Sequence, residues 1–303
     1  MAKNLRSGKG RRPRSYDLFG LFPFYLPTLG QSWLLVAVFF LLQLGLGLLF
    51  SLPVGFGVYG MDSYLLLTYV ATFAVLLMIC SNISRSRAFT AEYGILVTSR
   101  HFGGLHPVLA GLLAMAGMIG LVLALDPVTT LVQRYAPDAS ALEDSMDLLM
   151  GGNSWIIFLN VAVCAPFFEE LFVRGILLRG LLSHIRPGWA IFWSALIFAV
   201  LHLNLVQGFA ALVMGLLLGF TYYKTGCLWL TMLMHFANNA LSFCLMKWGP
   251  EDAEMAGLIP VWGYVLMVLG GLAVALLYAR YLQRIPLENR RGNLDTVTLD
   301  DLV

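Results

Sequence analysis

Charged residues are scarce in this chain: Asp, Glu, Lys and Arg make up 12% of its 303 residues, whereas soluble domains contain about 25%. The formal net charge is only +2, which gives no reason to expect a nucleic-acid partner. Hydrophobic residues make up 59% of the sequence, and they fall in runs of about twenty, the length at which a helix crosses a bilayer. The composition therefore excludes an ordinary soluble domain and predicts an all-α polytopic membrane protein.

Cysteine is also rare, and no C-x-x-C pair is present. This excludes a disulfide framework and a zinc knuckle, and it predicts reduced cysteines that serve in packing. The apolar run that begins near Trp33 lacks a small-residue cleavage site, so we do not expect a secretory signal peptide. The four cysteines lie in or at the edges of apolar runs: Cys80, Cys164, Cys227 and Cys244.

Hydropathy predicts eight membrane spans. Lys and Arg accumulate in the two tails and in alternate connections, while the other connections are neutral or acidic. Because basic residues stay on the cytoplasmic side, both termini are predicted to be cytoplasmic. The stretch 127–150 is then the sizeable external loop, with a pattern that suits a short amphipathic surface helix. The predicted spans are 33–52, 63–80, 104–125, 155–182, 189–204, 208–223, 227–247 and 258–281.

Two adjacent carboxylates interrupt the fourth predicted span. Glu169 and Glu170 lie in its middle, whereas the other acidic residues fall in tails, loops or span ends. Ionisable residues inside a membrane are costly and indicate a functional site. Glu170 and Arg174 are spaced i, i+4 and are predicted to form a structural pair. Glu169 has no such partner, so we expect it to meet a cation or a water-filled cavity, beside a kink at Pro166 that frees the carbonyl of Ala162.

Polar side chains also interrupt the fifth and seventh predicted spans. His202 follows Phe198 by four residues, and Phe198 is expected to wall the site and keep it dry. His235 and Asn239 are also spaced i, i+4 and project together. At about 1.5 Å per residue, Glu169, His202 and His235 reach similar depths, biased toward the cytoplasmic side. We therefore expect the three helices to share one site.

These three patterns, in this order, resemble the CAAX-protease and bacteriocin-processing family of membrane proteases, also called the CPBP or Abi family, which includes the Ras-converting CAAX endopeptidase. The family pattern is E-E-x-x-x-R, then F-x-x-x-H, then H-x-x-x-N, and it is matched by 169–174, 198–202 and 235–239. The resemblance covers about 155–248 and implies a catalytic membrane core there. The rest divides into a basic tail with three variable spans and an external loop at 1–154, and the last span and tail at 249–303.

The resemblance implies hydrolysis of a peptide bond within the membrane. Glu169 would act as general base on a water. His202 and Asn239 would stabilise the oxyanion, since polar donors contribute most in a dry site. His235 would help to hold the water or the substrate.

Glu170 and Arg174 are expected to hold Glu169 in position without contacting the substrate.

A zinc-dependent version stays open, because two histidines and a carboxylate also form a catalytic zinc set. The version without a cofactor is preferred, since the signature H-E-x-x-H is absent and no carboxylate is evident behind either histidine. The ligands of the zinc version would be His202, His235 and Glu169.

Two further classes of protein remain as alternatives. An ion-coupled transporter also carries carboxylates and histidines in its spans, but it usually shows inverted repeats, and no second copy of the Glu-Glu motif is found. A non-catalytic scaffold or immunity protein could retain the motifs without cutting a substrate. Beside membrane lipid, the expected partner is a peptide or a lipidated protein, either a prenylated carboxy terminus or a leader peptide.

Overall fold

The computed structural model describes residues 25–88, 102–137, 151–249 and 255–286. In these ranges the regular structure is helical, without strands, and one isolated turn at Met255–Leu258 precedes the last helix. The main helices are α1 (Leu29–Gly55), α2 (Met61–Ala88), α3 (Pro107–Tyr135), α4 (Ser154–His184), α5 (Pro187–Val200), α6 (Leu205–Thr225), α7 (Leu228–Trp248) and α8 (Val261–Arg284).

The predicted fold class is confirmed: this is an all-α, multi-pass integral membrane protein. Among the described residues, seven of these helices are long and apolar enough to cross a membrane. The exception is α5, which has 14 residues and is therefore only about 21 Å long, less than the roughly 30 Å of a hydrocarbon core. The eight apolar segments are all helical, but the fifth does not reach the length of a span.

The predicted fifth span, 189–204, was too long because a turn interrupts it. The helix stops at Val200, and Leu203 adopts a positive φ of 50°. Asn204 then begins α6, since its Oδ1 accepts the backbone N–H of Gln207 at 3.0 Å. A side-chain cap of this kind marks a helix start, and hydropathy does not detect it.

The third helix, by contrast, is longer than its predicted span of 104–125. It continues through Asp126 and Pro127 to Tyr135, so the first part of the predicted external loop is helical. Residues 138–150, where an amphipathic surface helix was expected, lie outside the described residues.

Small residues bring the helices of the bundle close together. Gly120 of α3 faces the backbone of Gly271 in α8, and a methyl group at Gly120 would lie 2.7 Å from the Gly271 carbonyl oxygen. In the same way, Gly215 of α6 packs on Ala195 of α5. Such contacts are typical of membrane helices, where small side chains let backbones approach. They hold α3 close to α8 and α5 close to α6.

The fourth helix is irregular where the carboxylates lie. It begins at a cap in which Asn153 Oδ1 accepts the N–H of Trp155 at 3.0 Å. Two π-helical stretches, Leu159–Cys164 and Leu171–Leu178, flank the regular turns that carry Glu169 and Glu170. Single π turns are frequent at functional sites, because the added residue changes the direction of the side chains that follow.

Candidate active site

A cavity of about 450 Å³ lies between α2, α3, α4, α5, α6 and α7. The four residues predicted to be catalytic line it together, so the three segments that carry them meet at one cavity. Phe198 forms part of the wall, as expected, while Glu170 and Arg174 are fully buried. The predicted residues on the cavity surface are Glu169, Phe198, His202, His235 and Asn239.

Glu169 faces this cavity and has a different partner on each carboxylate oxygen. Its Oε1 accepts a hydrogen bond of 2.7 Å from the hydroxyl of Tyr69 in α2. Its Oε2 lies 3.8 Å from Nε2 of His235, beyond direct hydrogen-bonding distance. The side chain is 14% exposed. One oxygen is therefore fixed, and the other remains open toward the space in front of His235.

Glu170 forms the predicted ion pair and one contact that was not predicted. Its Oε1 lies 2.8 Å from Nη1 of Arg174, and both side chains are 0% exposed. The same oxygen lies 3.1 Å from Nδ1 of His235. Because a carboxylate can only accept, Nδ1 of His235 carries the proton, and in the neutral ring Nε2 is an acceptor that faces Glu169. Glu170 thus holds the histidine, whereas it was expected to support Glu169.

Arg174 connects this ion pair to the wall of the cavity. Its Nη2 donates to the carbonyl of Gly215 at 3.1 Å, and its guanidinium carbon lies 4.6 Å from the centre of the Phe198 ring. Phe198 also contacts both histidines edge to face, with ring centres 5.1 Å from His202 and 5.5 Å from His235. The ring therefore separates the buried ion pair from the cavity and fixes both imidazoles.

His202 lies in the turn after α5, not inside a helix as the spacing suggested. Its Nδ1 lies 2.9 Å from the carbonyl oxygen of Phe198, so Nδ1 carries a proton and donates it. In the neutral ring Nε2 is then an acceptor. His202 can donate to an oxyanion from Nε2 only as an imidazolium, which is a condition on its predicted role.

Asn239 is held by the irregular part of α4. In the π-helical stretch the N–H of Ala165 donates to the carbonyl of Asn160, five residues earlier. By the same register Pro166, which has no N–H, leaves the carbonyl of Val161 without a helical donor. Asn239 Nδ2 donates to this carbonyl at 2.8 Å.

The carbonyl without a helical donor is therefore that of Val161, one residue before that of Ala162, which was predicted. The prediction assumed a regular α-helix, in which each N–H bonds four residues back. The second amide hydrogen of Asn239 remains for a ligand in the cavity, since each primary amide has two.

Tyr69 and Asp126 are among the cavity residues that were not predicted, and both interact through a tyrosine hydroxyl. Tyr69 belongs to no motif, although a tyrosine inside an apolar span needs a polar partner, which is a usable signal. Asp126 was assigned to an external connection but lies within α3 and lines the cavity. Its Oδ2 accepts a hydrogen bond of 2.8 Å from the hydroxyl of Tyr264 in α8.

The fit of the site to a zinc ion is mixed. One reason to prefer chemistry without metal was that no carboxylate was expected to bond to either histidine. Glu170, which bonds to Nδ1 of His235, contradicts this reason. Both His235 and His202 present Nε2 while Nδ1 is hydrogen-bonded, as metal-ligating histidines usually do. In the part of the chain that the structure describes, however, no three His, Cys, Asp or Glu side chains converge as a ligand set.

Fold and site together define a class: a helical membrane protein whose polar groups surround an internal cavity. The family model "Type II CAAX prenyl endopeptidase Rce1-like" matches residues 151–241. This segment runs from the start of α4 into α7 and contains all three motifs. It supports the resemblance of this segment to the CAAX-type intramembrane proteases. No curated protein and no solved structure matches the chain significantly.

Proposed function

We propose that this protein is an intramembrane endopeptidase in which Glu169 activates a water that attacks a peptide bond in the cavity. The observation that carries the proposal is the pair of opposed acceptors, Glu169 Oε2 and His235 Nε2, 3.8 Å apart. A water that contacts both can donate one hydrogen to each. Its lone pair then points away from both side chains toward a substrate carbonyl.

The tyrosine contact selects the oxygen of Glu169 that acts as base. Because Oε1 is bound by Tyr69 at 2.7 Å, the water proton goes to Oε2. The resulting hydroxide bonds to the carbonyl carbon, and the carbonyl oxygen becomes an oxyanion. Asn239 donates its free amide hydrogen to that oxygen, and His202 donates when it is protonated. Glu169 then passes the proton to the amide nitrogen, and the carbon–nitrogen bond breaks.

Tyr69 is accordingly proposed as a positioning residue for the base. It is held in turn by aromatic packing, with its ring centre 5.0 Å from that of Phe73. Phe73 stacks on Phe168 of α4, one residue before Glu169, at 5.6 Å. The second helix, outside the segment that matches the family, thus contributes to the orientation of the carboxylate.

The family description makes a prenylated carboxy-terminal peptide the first substrate to assay. Purified protein in lipid vesicles is incubated with a farnesylated CAAX-type peptide, with its unprenylated form, and with a leader-type membrane peptide. Mass spectrometry identifies the products. We expect one defined cleavage with wild type and none with Glu169→Gln, which retains a polar side chain of the same size. Cleavage of no peptide by correctly folded wild type would contradict the proposal.

A zinc-dependent protease is the second candidate, because both histidines present Nε2 with Nδ1 bound to an acceptor. The discriminating experiment is metal analysis of purified, active protein, followed by chelation and metal return. We expect activity to persist without stoichiometric zinc. Zinc that switches activity off on removal and on again on return would make the two histidines and Glu169 its ligands.

A further inference from the structure

The cavity contains a second carboxylate, Asp126, that takes no part in the proposed reaction. The face of α3 that lines the cavity includes Val122, Leu125, Asp126 and Thr129, which are spaced along one side of the helix. Asp126 Oδ2 accepts the hydroxyl of Tyr264 at 2.8 Å. The hydroxyl of Thr129 donates to backbone carbonyls, of which the nearer, that of Asp126, is 3.0 Å away. Among the described residues, the carboxylate is therefore held by the neutral hydrogen bond from Tyr264 and by no ion pair.

Asp126, on α3, and Glu169, on α4, line the same elongated cavity. Along α7 the lining runs from His235, beside Glu169, to Met246, near the end of the helix. These eleven residues correspond to about 16 Å at 1.5 Å per residue. Tyr264, the partner of Asp126, is in the first turn of α8, the helix that follows the end of α7. An extended peptide would cover this distance with about five residues.

Within the described part of the chain, Asp126 has no counter-ion. Among the described residues, the carboxylates that pair with Arg or His are Glu169 and Glu170, and no basic side chain contacts Asp126. A carboxylate in a cavity with apolar walls attracts cations, because the low-dielectric surroundings strengthen the field. Thr129, one helical turn further on, adds a polar group on the same wall.

We propose that Asp126 binds a positively charged group of the substrate, an ammonium or a guanidinium, within about five residues of the bond that is cut. This deepens the proposed function and rests on it. The substrate class becomes a peptide with a Lys or Arg side chain, or a free amino terminus, at that distance. A purely structural role, in which Asp126 only fixes α3 to α8 through Tyr264, is the competing explanation.

Asp126→Asn separates these explanations, since its amide oxygen still accepts from Tyr264 while the charge is lost. The peptide cleaved in the assay above is prepared with one Lys or one acetyl-lysine at each position in turn. The measured quantity is the ratio of kcat/KM for the Lys peptide to that for the acetyl-lysine peptide. We expect wild type to prefer Lys at one position by about tenfold or more, because a hydrogen bond between charged groups is stronger than a neutral one. Asp126→Asn should bring that ratio close to unity.

Tyr264→Phe is the matched control, because it removes the hydrogen bond and keeps the charge. It should retain most of the preference for Lys. The proposal is overturned if wild type shows no preference at any position, or if Asp126→Asn lowers kcat/KM for both peptides alike. Arg and amino-terminal variants of the same peptide then identify which cation is preferred.

Binding gives a result that does not depend on turnover. Fluorescent Lys and acetyl-lysine peptides are titrated against Glu169→Gln with and without Asp126→Asn. A Lys preference that disappears with Asp126→Asn supports the subsite. This conclusion holds even if no cleavage is observed, an outcome that would contradict only the proposed function. Equal affinities for the two peptides in the Glu169→Gln protein would overturn the subsite alone.

Discussion

Glutamine substitutions at the two adjacent carboxylates should have different consequences, although they differ by one position. Glu170 and Arg174 are both 0% exposed, so Glu170→Gln leaves a buried guanidinium without its counter-ion. Removing one partner of a buried ion pair costs about 3–5 kcal/mol. Total stabilities are about 5–15 kcal/mol, so this loss is large.

The surroundings of Arg174 place the expected loss at the lower end. The guanidinium keeps its hydrogen bond to Gly215 and its contact with the Phe198 ring, and the glutamine oxygen can still accept from Arg174. We therefore expect a destabilisation of about 3 kcal/mol. Glu169→Gln faces the cavity and can still accept from Tyr69, so its stability should stay within about 1 kcal/mol of wild type.

The assay is unfolding of the purified protein by a denaturing detergent, followed by its intrinsic fluorescence, together with peptide cleavage below the transition. Glu169→Gln should be folded and inactive. Glu170→Gln should be clearly destabilised, with some cleavage at low temperature where it is folded. Two variants that are equally stable and equally inactive would refute this division of roles.

Three further predictions concern the site and the orientation of the chain. Tyr69→Phe should lower kcat by about tenfold, the effect of one hydrogen bond to a charged group, with KM and thermal stability unchanged; a change in stability without a change in kcat would make Tyr69 structural. Asn239→Ala should lower kcat by about 10²–10³ with little change in peptide affinity, whereas a loss of affinity alone would contradict its oxyanion role. A cysteine at Asp144 should be labelled from outside intact cells and a cysteine at Arg87 should not, and the reverse pattern would invert the predicted topology.

The labelling result also determines to which side the cavity extends. The side chains of α4 that line it run from Glu169 back to Asn160, toward the start of that helix. In the predicted orientation the start of α4 faces outward, whereas the sequence suggested a site biased toward the cytoplasm. The orientation and the side of the active site both remain predictions until this measurement is made.

The sequence was sufficient to predict the fold class and that Glu169, His202, His235 and Asn239 line one cavity, for a clear physical reason. Carboxylates and histidines are so costly in apolar spans that few sites can hold them, and helical spacing then fixes the pair of Glu170 with Arg174. The deviations come from contacts between helices that are distant in the sequence. No local pattern indicates that Glu170 bonds to His235 or that Tyr69 bonds to Glu169. Likewise, the π-helical register that pairs Asn239 with Val161 departs from the regular spacing on which the prediction relied.

The central claim, that Glu169 activates a water for peptide hydrolysis, is tested most directly by cleavage in water enriched in heavy oxygen. Wild type in lipid vesicles and the folded Glu169→Gln variant are compared on the same peptide, and the new carboxy terminus is analysed by mass spectrometry. We predict that wild type releases a product carrying one heavy oxygen atom at its new carboxylate and that Glu169→Gln releases none. Equal formation of labelled product by the two proteins would contradict the account.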